Sequence, residues 1–595
     1  MNSETRICQN CNNSFTIEPD DFSFYEKIKV PPPTFCPMCR TQRRWAFRNE
    51  RGLYKRKSDY SGKEIFSMFS SDSPIKVFEK DIWLSDVWDP MDYGRDIDWS
   101  RPFLTQLYEL MSEVPFKSRN VIGGVNSDYC NNATDPKNCY LVFNTTYPED
   151  SMYSNGVNFS RDCVDVSHVS KCETCYQSFW IGSCYRTHFC SQCIDSSDLW
   201  FCRDCQGCMN CFGSVNLRNK NYYFFNQQLS KEEYEEKVKE YKLHTREGIE
   251  RATAEARTFW KKFPNKNHQG IKNINSTGSY VSNSKNVQDS FLVREGENLR
   301  YCQYLQEAPA PKDCYDYSGW GAGAEMVYEA VSTGSNVQNS KFTWMTQENV
   351  HDMSYTIACA NGSQNLFGCV GLRKKEFCIL NKQYTKEEYY EFVKKIRKHM
   401  DDMPYIDKKR RVYKYGEFLP IEFSPWAYNE TIAQEYFPLT KEQAIAEGYR
   451  WREPDTKDYI PTLEDRDVLN DITKIDDSII KEIIECSHKG ECNQGCNKAF
   501  RIIPDELRFY KKIGIPLPTL CPVCRTMERL KLRLGVKLYE RPCMCAGSLS
   551  QDSEYKNTTI HSHGDTPCPN IFKTGFDPNK NDLVYCESCY QQEVD

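Results

Sequence analysis

The sequence has no long apolar run. None of its 595 residues lies in an apolar stretch long enough to span a bilayer, and the first residues have no signal-peptide core. These absences predict a protein of the cytoplasm, or of the inside of a particle assembled there, with no membrane partner. The net charge of −6 excludes a polycation as a whole.

Common catalytic motifs are missing as well. The sequence has no phosphate-binding loop, no GxGxxG, no HExxH and no nucleophile elbow. Its 9 histidines are scattered, and none has a sequence neighbour that indicates general base chemistry. We therefore expect a non-enzymatic protein.

Cysteine, by contrast, is abundant, with 31 residues. In a chain without an export signal, so many cysteines indicate a reducing compartment where thiols bind metal or pack in a core. Disulfide pairing is the disfavoured alternative.

The clearest motif is a pair of cysteine knuckles near the start. A CxxC, a Phe-Tyr pair and a CPxCR follow one another, and the predicted metal ligands are Cys8, Cys11, Cys36 and Cys39. Two such knuckles close a tetrahedral site around one metal ion, and zinc is the expected metal. The segment between them is too short to bury a core, so metal binding must supply its folding free energy.

The same order of residues returns 485 positions later, as Cys496, Phe509-Tyr510 and Cys521-Pro522-x-Cys524-Arg525. The position that matches Cys8 is Asn493, so the fourth ligand must come from elsewhere. Cys492 is the nearest substitute, and Cys486 is a weaker alternative.

A third zinc site is predicted after the second copy. Its surest part is Cys586-x2-Cys589, and two more ligands are expected from an upstream set of Cys543, Cys545, His561, His563 and Cys568. The chain should therefore bind two to three zinc ions. A closed four-thiolate site has no open coordination position, so these ions should be structural.

The knuckle stretch resembles a treble-clef zinc-ribbon family whose members carry CxxC, a Phe-Tyr pair, a proline and CPxCR. The wider chain is similar to large proteins of candidate-phylum bacteria and giant viruses that join this ribbon to Cys- and Tyr-rich repeats. The resemblance implies zinc ribbons at both ends and a place in the cytoplasm or in a virus particle or factory. It implies no activity.

Both ribbons continue into a basic segment. In a treble clef the second knuckle opens a helix, and this helix would carry many guanidinium groups, which form paired hydrogen bonds with phosphates. The predicted nucleic-acid ligands are Arg40, Arg43, Arg44, Arg48, Arg51, Arg525, Arg529 and Arg533. The alternative is a solvated helix face.

Between the ribbons, short motifs with Asn or Asp before Cys or Ser recur every 11–16 residues, as in Asn138-Cys139, Asp162-Cys163 and Asn210-Cys211. Alternating short strands with Asn or Asp at the corners favour a β-solenoid (a parallel β-helix) whose side chains stack in ladders, with a β-sandwich as the alternative. The series is duplicated, because Asn210 to Tyr234 recurs 155 residues later as Asn365 to Tyr389.

That duplication also bears on the cysteines at 202, 205, 208 and 211. Their counterparts are Ile357, Ala360, Ser363 and Leu366, which favours a core ladder over a metal or iron–sulfur cluster. After each series, Ser230 with Glu233 and Thr385 with Glu388 predict helices that begin with capping boxes.

The sequence thus predicts a mainly β chain with duplicated β-solenoid repeats and amphipathic helices, flanked by treble-clef zinc ribbons. The expected divisions are a zinc ribbon (1–57), a connector with a helix (58–120), solenoid repeat 1 (121–229), a helix (230–265), solenoid repeat 2 (266–384), a helix (385–403), an aromatic and acidic linker (404–485), the second ribbon (486–541) and the additional zinc segment (542–595).

Three functions fit this reading. The first is a zinc-binding, non-enzymatic module that binds RNA or DNA through the basic ribbon helices. The second is a structural or assembly protein that uses the solenoid to contact protein partners. The third is a carbohydrate hydrolase, which would need clustered acids on one solenoid face.

Overall fold

A computed structural model of the chain describes residues 2–305, 309–453, 460–465, 468–492 and 495–594. It is mainly β and contains a β-solenoid with a few helices and cysteine tetrads near both termini, so the predicted fold class is confirmed. No helix in the described ranges combines the length and apolarity needed to cross a bilayer.

The chain divides into two compact units, and each joins distant segments. One unit comprises Met1–Arg119, His268–Arg452 and Gly535–Leu538, and the other comprises Asn120–Asn267, Glu453–Leu534 and Tyr539–Asp595. The first unit therefore holds the N-terminal segment with the first cysteine tetrad, for which we keep the predicted name ribbon, together with the second solenoid repeat. The second unit holds the C-terminal ribbon with the first repeat.

The solenoid rungs are stacked parallel strands. In the second unit Met152 pairs with Val164 and Arg161 with Glu173, a spacing of 12 residues per turn. The strands of this repeat are Val121–Ile122, Asn131–Thr134, Tyr140–Thr146, Met152–Asn158, Arg161–Val164, Ser167–Ser170, Glu173–Tyr176, Phe179–Gly182, Tyr185–His188, Ser197–Trp200, Met209–Phe212, Asn221–Phe224 and Gln227–Gln228.

The first unit repeats this architecture with some longer rungs. Val287 pairs with Leu299, 12 residues on, whereas Val337 pairs with Val350, 13 residues on. Its strands are Gly278–Ser282, Lys285–Gln288, Ser290–Arg294, Glu297–Arg300, Gln303–Leu305, Lys312–Ser318, Tyr328–Val331, Val337–Gln338, Val350–Ser354, Gln364–Phe367, Glu376–Ile379 and Lys382–Gln383.

A left-handed backbone residue recurs at every third position of the first repeat. Asn138, Leu141, Asn144, Tyr147 and Asp150 all have φ between 47° and 53°. This region is costly for most residues, and Asn and Asp tolerate it best. The Asn and Asp residues predicted at the corners thus hold the bends, and the residue after each bend faces the interior.

The interior is lined by small side chains that bridge successive rungs. The backbone N–H of Cys202 donates to the Cys190 sulfur at 3.2 Å, and that of Cys190 donates to the Ser178 hydroxyl oxygen at 3.2 Å. Cys and Ser therefore occupy equivalent places in one ladder. The cysteines of both repeats are buried and unpaired by disulfides, as the core-ladder interpretation predicts.

An asparagine side chain closes the last rung of each repeat. Asn226 Oδ1 accepts from the Val215 N–H at 2.9 Å, and its Nδ2 donates to the Val215 carbonyl at 2.9 Å. Asn381 makes the same two bonds, each at 2.8 Å, with Val370. Because these amides stand in for a further strand, they satisfy an edge that would otherwise invite pairing.

The predicted capping boxes are present at Ser230 and Thr385. The single helix predicted for 230–265 is instead two helices, because the chain turns before Thr245, whose hydroxyl caps the second one. The α-helices are Pro19–Lys27, Pro37–Trp45, Lys80–Leu84, Phe103–Glu113, Lys231–Glu240, Arg246–Trp260, Lys386–Asp402, Ile432–Tyr436, Lys441–Ala446, Pro504–Ile513, Pro522–Leu530 and Glu587–Val594.

The remaining strands are short, and most form two-stranded pairs outside the solenoid. They are Glu4–Ile7, Ser14–Ile17, Tyr54–Lys57, Glu64–Ser67, Val77–Phe78, Phe116–Lys117, Asn265–Lys266, Tyr405–Ile406, Val412–Tyr413, Ile484–Glu485, Ala499–Phe500, Tyr539–Pro542, Ile571–Thr574 and Val584–Tyr585.

Candidate metal centres

The first cysteine tetrad lies in the N-terminal ribbon as predicted. The sulfurs of Cys8, Cys11, Cys36 and Cys39 all lie within 4.8 Å of one another. A hairpin of Glu4–Ile7 and Ser14–Ile17 leads into the first knuckle region, and the helix Pro37–Trp45 begins at the second. Proline at the first helical position suits this start, because it has no N–H to leave unpaired.

The second tetrad takes its fourth cysteine from Cys486 rather than from Cys492. Cys486, Cys496, Cys521 and Cys524 lie within 4.8 Å of one another. The Cys521 N–H donates to the Cys486 sulfur at 3.3 Å, just as the Cys36 N–H donates to the Cys8 sulfur at 3.2 Å. The tetrad thus contains Cys486 in place of the predicted Cys492, because nine residues separate the first two cysteines of this copy in the sequence, against two in the first copy.

The third tetrad has the same plan. It comprises Cys543, Cys568, Cys586 and Cys589, and the Cys586 N–H donates to the Cys543 sulfur at 3.2 Å. Cys586 directly precedes the helix Glu587–Val594, as Cys36 and Cys521 precede theirs. Two upstream cysteines thus complete the site that the sequence left open, and Cys545 is not one of them.

The spacing of the sulfurs fits a tetrahedral ion. A metal–sulfur bond of about 2.3 Å gives tetrahedral edges of about 3.8 Å between sulfurs. The corresponding sulfur pairs Cys11–Cys36, Cys496–Cys521 and Cys568–Cys586 lie 3.8, 4.0 and 3.9 Å apart. All three tetrads can therefore hold a metal ion in the same way.

One thiol in each tetrad has a lowered pKa. Hydrogen bonds from Cys36 and Cys39 lower the pKa of the Cys8 thiol. Cys486 and Cys524 lower the pKa of Cys521 to about 2, and Cys543 and Cys589 lower that of Cys586. The same crowding raises the pKa of two other thiols in each tetrad, because neighbouring thiolates repel one another. A thiolate is the form that binds metal, so a bound cation would relieve this repulsion.

Two smaller groups adjoin the second and third tetrads. His488 and Cys492 approach Cys524, with the Cys492 and Cys524 sulfurs 3.7 Å apart. Cys545, His561 and His563 approach Cys589, so Cys545 belongs to a different group from the one predicted. The sequence indicated the two histidines as candidate ligands. It did not show that Cys589 belongs both to the third tetrad and to this smaller group.

The solenoid cysteines form no such group. In the part of the chain that the structure describes, none of the cysteines from Cys130 to Cys211 belongs to a set of three or more potential ligand atoms within 4.8 Å. This agrees with the core-ladder interpretation of the cysteines at 202, 205, 208 and 211.

Two of the three predicted nucleic-acid arginines of the second ribbon, Arg525 and Arg529, are buried against its solenoid. Arg525 Nη1 lies 2.8 Å from one oxygen of Asp165, and Arg529 Nη1 lies 2.7 Å from the other. Arg525 also contacts Glu506 at 3.0 Å. The two carboxylates and the two guanidinium groups of this buried cluster thus balance in formal charge. Neither guanidinium faces solvent.

The first ribbon repeats this arrangement with a third arginine. Asp316 accepts from Arg40 at 2.8 Å and from Arg44 at 2.9 Å, one oxygen to each. Arg43 contacts Glu329 at 2.6 Å and a second carboxylate, that of Glu417, at 3.3 Å. We call the one-carboxylate, two-arginine contact the arginine clamp. It joins residues that are more than 270 positions apart in the sequence.

The other arginines in the prediction are also engaged. Arg48 pairs with Glu50 at 2.6 Å, and Arg51 forms an ion pair with Glu435. Arg533 is half-buried and has a polar or electrostatic partner as well. These side chains therefore have structural contacts, and nucleic-acid binding stays a prediction.

The Phe-Tyr pair of each ribbon packs on solenoid tyrosines. Phe24 stacks on Tyr315 with ring centroids 3.9 Å apart, and Tyr25 meets Tyr328 edge to face at 5.4 Å. In the second unit, Phe509 and Tyr510 lie 6.0 and 5.7 Å from Tyr176. The motif thus serves docking, which the sequence alone could not reveal because the partners lie in the repeats.

The first two metal centres are accordingly parts of modules that are fastened to the solenoid by aromatic packing and the arginine clamp. The cysteine groups support metal binding at both ends of the chain, while the treble-clef resemblance stays a prediction. Comparison of this chain with protein-family models, with curated proteins and with solved structures finds no match.

Proposed function

We propose that this protein is a non-enzymatic scaffold in which zinc-bound modules rigidify a β-solenoid that contacts protein partners. The arginine clamp carries the proposal. In both ribbons, two arginines of the helix that follows the second knuckle contact one buried carboxylate of the solenoid. Each helix therefore attaches its ribbon to a solenoid repeat. Four thiolates around zinc leave no site for substrate, which also favours a structural role.

One face of the first repeat suits a protein partner. Tyr147, Phe159 and Tyr185 are about half exposed, and Tyr147 and Phe159 lie with ring centroids 5.5 Å apart. Aromatic side chains that combine exposure with a fixed position are typical anchors of protein interfaces. We call this the aromatic face.

Charge along the aromatic face is balanced. Lys137 pairs with Glu149 at 2.6 Å, and Arg161 pairs with Glu173 at 2.7 Å, one rung after another. Apart from Lys171, which is exposed on the same face, the cations of this ladder are paired with carboxylates and leave little excess positive charge to attract a polyanion. It therefore favours a protein over RNA or DNA as the partner of this face.

The ladder also argues against a hydrolase on the aromatic face. The hydrogen bond from Lys137 lowers the pKa of Glu149 below its ordinary value. A glycosidase acid needs a raised pKa to stay protonated near neutral pH. Glu149 is therefore unsuited to that role.

Site-specific photo-cross-linking tests the proposal. A photoreactive residue at position 159 or 185, introduced in cells that make the protein natively, should give one common protein adduct, and position 232 on the exposed helix Lys231–Glu240 should not. In a second variant, Phe159→Glu should abolish the adduct from position 185, while Glu232→Lys should leave it intact. Adducts with nucleic acid alone, or adducts that survive Phe159→Glu, would refute the assignment.

A further inference from the structure

The third tetrad shares one sulfur with a neighbouring set of ligand atoms. Cys589 is close both to the three other cysteines of the tetrad and to a second group formed by Cys545, His561 and His563. We propose that this segment binds two divalent ions of the zinc type, with the Cys589 thiolate bridging them. The second ion goes beyond the structural zinc of the tetrads.

The distances in the second group fit a mixed sulfur and nitrogen site. Tetrahedral bonds of about 2.3 Å to sulfur and about 2.0 Å to nitrogen place these atoms about 3.5 Å apart. His563 Nε2 lies 3.4 Å from the sulfurs of both Cys545 and Cys589. The 3.0 Å from Cys545 Sγ to His561 Nδ1 is shorter, so an ion would move that ring slightly outward.

Both histidine rings are oriented as metal ligands are. The outer nitrogen of His561, Nε2, lies 2.8 Å from Glu593 Oε1, and that of His563, Nδ1, lies 2.7 Å from the Thr566 carbonyl oxygen. A carboxylate and a carbonyl can only accept, so each outer nitrogen carries the proton. Each inner nitrogen then directs its lone pair at the shared group, the arrangement that second-shell partners impose on metal-bound histidine.

Glu593 is itself fixed in place. It accepts from the Tyr555 hydroxyl at 2.9 Å and from the Thr558 N–H at 3.0 Å, and its pairing with His561 is fully buried. A carboxylate held by several donors is a positioning group, because it sets the tautomer and the angle of the ring it contacts.

The charges also favour two ions. Five thiolates against two divalent ions leave one excess negative charge, whereas a lone four-thiolate site leaves two. Amide donors offset part of the remainder, since Asn557 Nδ2 lies 3.2 Å from Cys545 Sγ and Asn570 Nδ2 lies 3.3 Å from Cys586 Sγ. The two-ion group therefore carries less net charge into the interior than the four-thiolate site with one ion, which makes it easier to bury.

The same atoms also have the order of a nucleophile, a base and an orienting carboxylate in Cys545, His561 and Glu593. Burial disfavours that reading, because Cys545 is 0% and His561 only 2% exposed. His563 contacts the same sulfur, which a catalytic dyad does not require. We therefore treat an activated Cys545 thiol as one possible outcome of the test below.

The first experiment counts ions in the full chain. The protein is saturated with Zn²⁺, dialysed and examined by native mass spectrometry as the wild type and as three variants. His561→Gln, His563→Gln and Cys545→Ser should each bind one ion fewer than the wild type, while the matched control His351→Gln, an exposed histidine beside Asp352, should bind the same number. The ions that these variants still bind should be those of the cysteine tetrads.

An unchanged count in the His561→Gln and His563→Gln variants would overturn the proposal. So would rapid alkylation of Cys545 by iodoacetamide in the zinc-saturated wild type that His561→Gln suppresses, because that result indicates an activated thiol.

The second experiment tests the bridge. Two Co²⁺ ions that share a thiolate couple magnetically, and the pair loses its electron paramagnetic resonance signal. The cobalt-loaded His563→Gln variant should thus bind fewer ions than the wild type yet give a stronger signal per chain. A signal that falls in proportion to the ions lost would show that Cys589 is not shared.

Discussion

The two arginine clamps should differ in how much stability their carboxylates, Asp165 and Asp316, contribute. Asp165→Asn leaves Arg529 with only neutral partners, the Tyr153 carbonyl and the Thr526 hydroxyl, each 3.1 Å away. Removing one partner of a buried ion pair costs about 3–5 kcal/mol, because the other charge stays buried. We expect a loss of about 4 kcal/mol in the stability of the second ribbon on its solenoid.

The equivalent change in the other unit should cost less. After Asp316→Asn, Glu329 remains 3.5 Å from Arg44 and 4.0 Å from Arg40. At an effective dielectric constant of about 20, each of these contacts retains about 4–5 kcal/mol of Coulomb attraction before desolvation is subtracted. We therefore expect a smaller loss, of about 2 kcal/mol.

Hydrogen exchange of the zinc-loaded chain resolves the two ribbons separately, which global unfolding of a two-unit chain does not. Protection of the helix Pro522–Leu530 should fall about 1000-fold in Asp165→Asn, and that of Pro37–Trp45 about 30-fold in Asp316→Asn. Asp150→Asn is the control, because Asp150 has a similar left-handed backbone (φ 47°) but is exposed. Protection in Asp165→Asn equal to that of the control would refute the reasoning.

Three further predictions follow from the same structure. Cys36→Ser should remove one zinc ion by native mass spectrometry and abolish protection of the first ribbon, and a full ion count would contradict this. Cys202→Ser should cost less than about 1 kcal/mol in urea unfolding, because Ser178 fills the equivalent position two turns earlier in the same ladder, whereas Cys202→Leu should cost more by overpacking. Burial lowers the pKa of His188 to about 3, so this side chain gains a proton only in the unfolded state as the pH falls below about 6.5. Between pH 7 and pH 5 the wild type should therefore lose about 2 kcal/mol more stability than His188→Phe. Equal losses in the two proteins would exclude His188 as the cause.

Much of the fold could be predicted from local pattern. The Asn-Cys and Asp-Cys motifs indicated the solenoid because a left-handed bend and a small inward residue are requirements that each rung meets alone. The capping boxes and the first tetrad were likewise local signals, with every ligand of Cys8 to Cys39 in one short stretch.

What the sequence could not show depends on distant partners. The basic helices resembled phosphate-binding surfaces because the carboxylates of Asp165 and Asp316 lie hundreds of residues away among many similar Asp residues of the repeats. Cys486 was ranked below Cys492 because the length of a knuckle loop is not fixed by its chemistry. The shared sulfur of Cys589 is a matter of geometry that spacing does not encode.

The crossed pairing of ribbons and repeats makes the two halves unequal while the chain is being synthesised. Arg40 leaves the ribosome 276 residues before Asp316, a delay of about 14–55 s at about 5–20 residues per second. Arg525, in contrast, emerges 360 residues after Asp165, when its docking surface already exists. Arg40, Arg43 and Arg44 of the N-terminal ribbon therefore remain without their carboxylate partners during this delay. We expect folding of the N-terminal ribbon to depend more on chaperones and on prompt delivery of metal than folding of the C-terminal one.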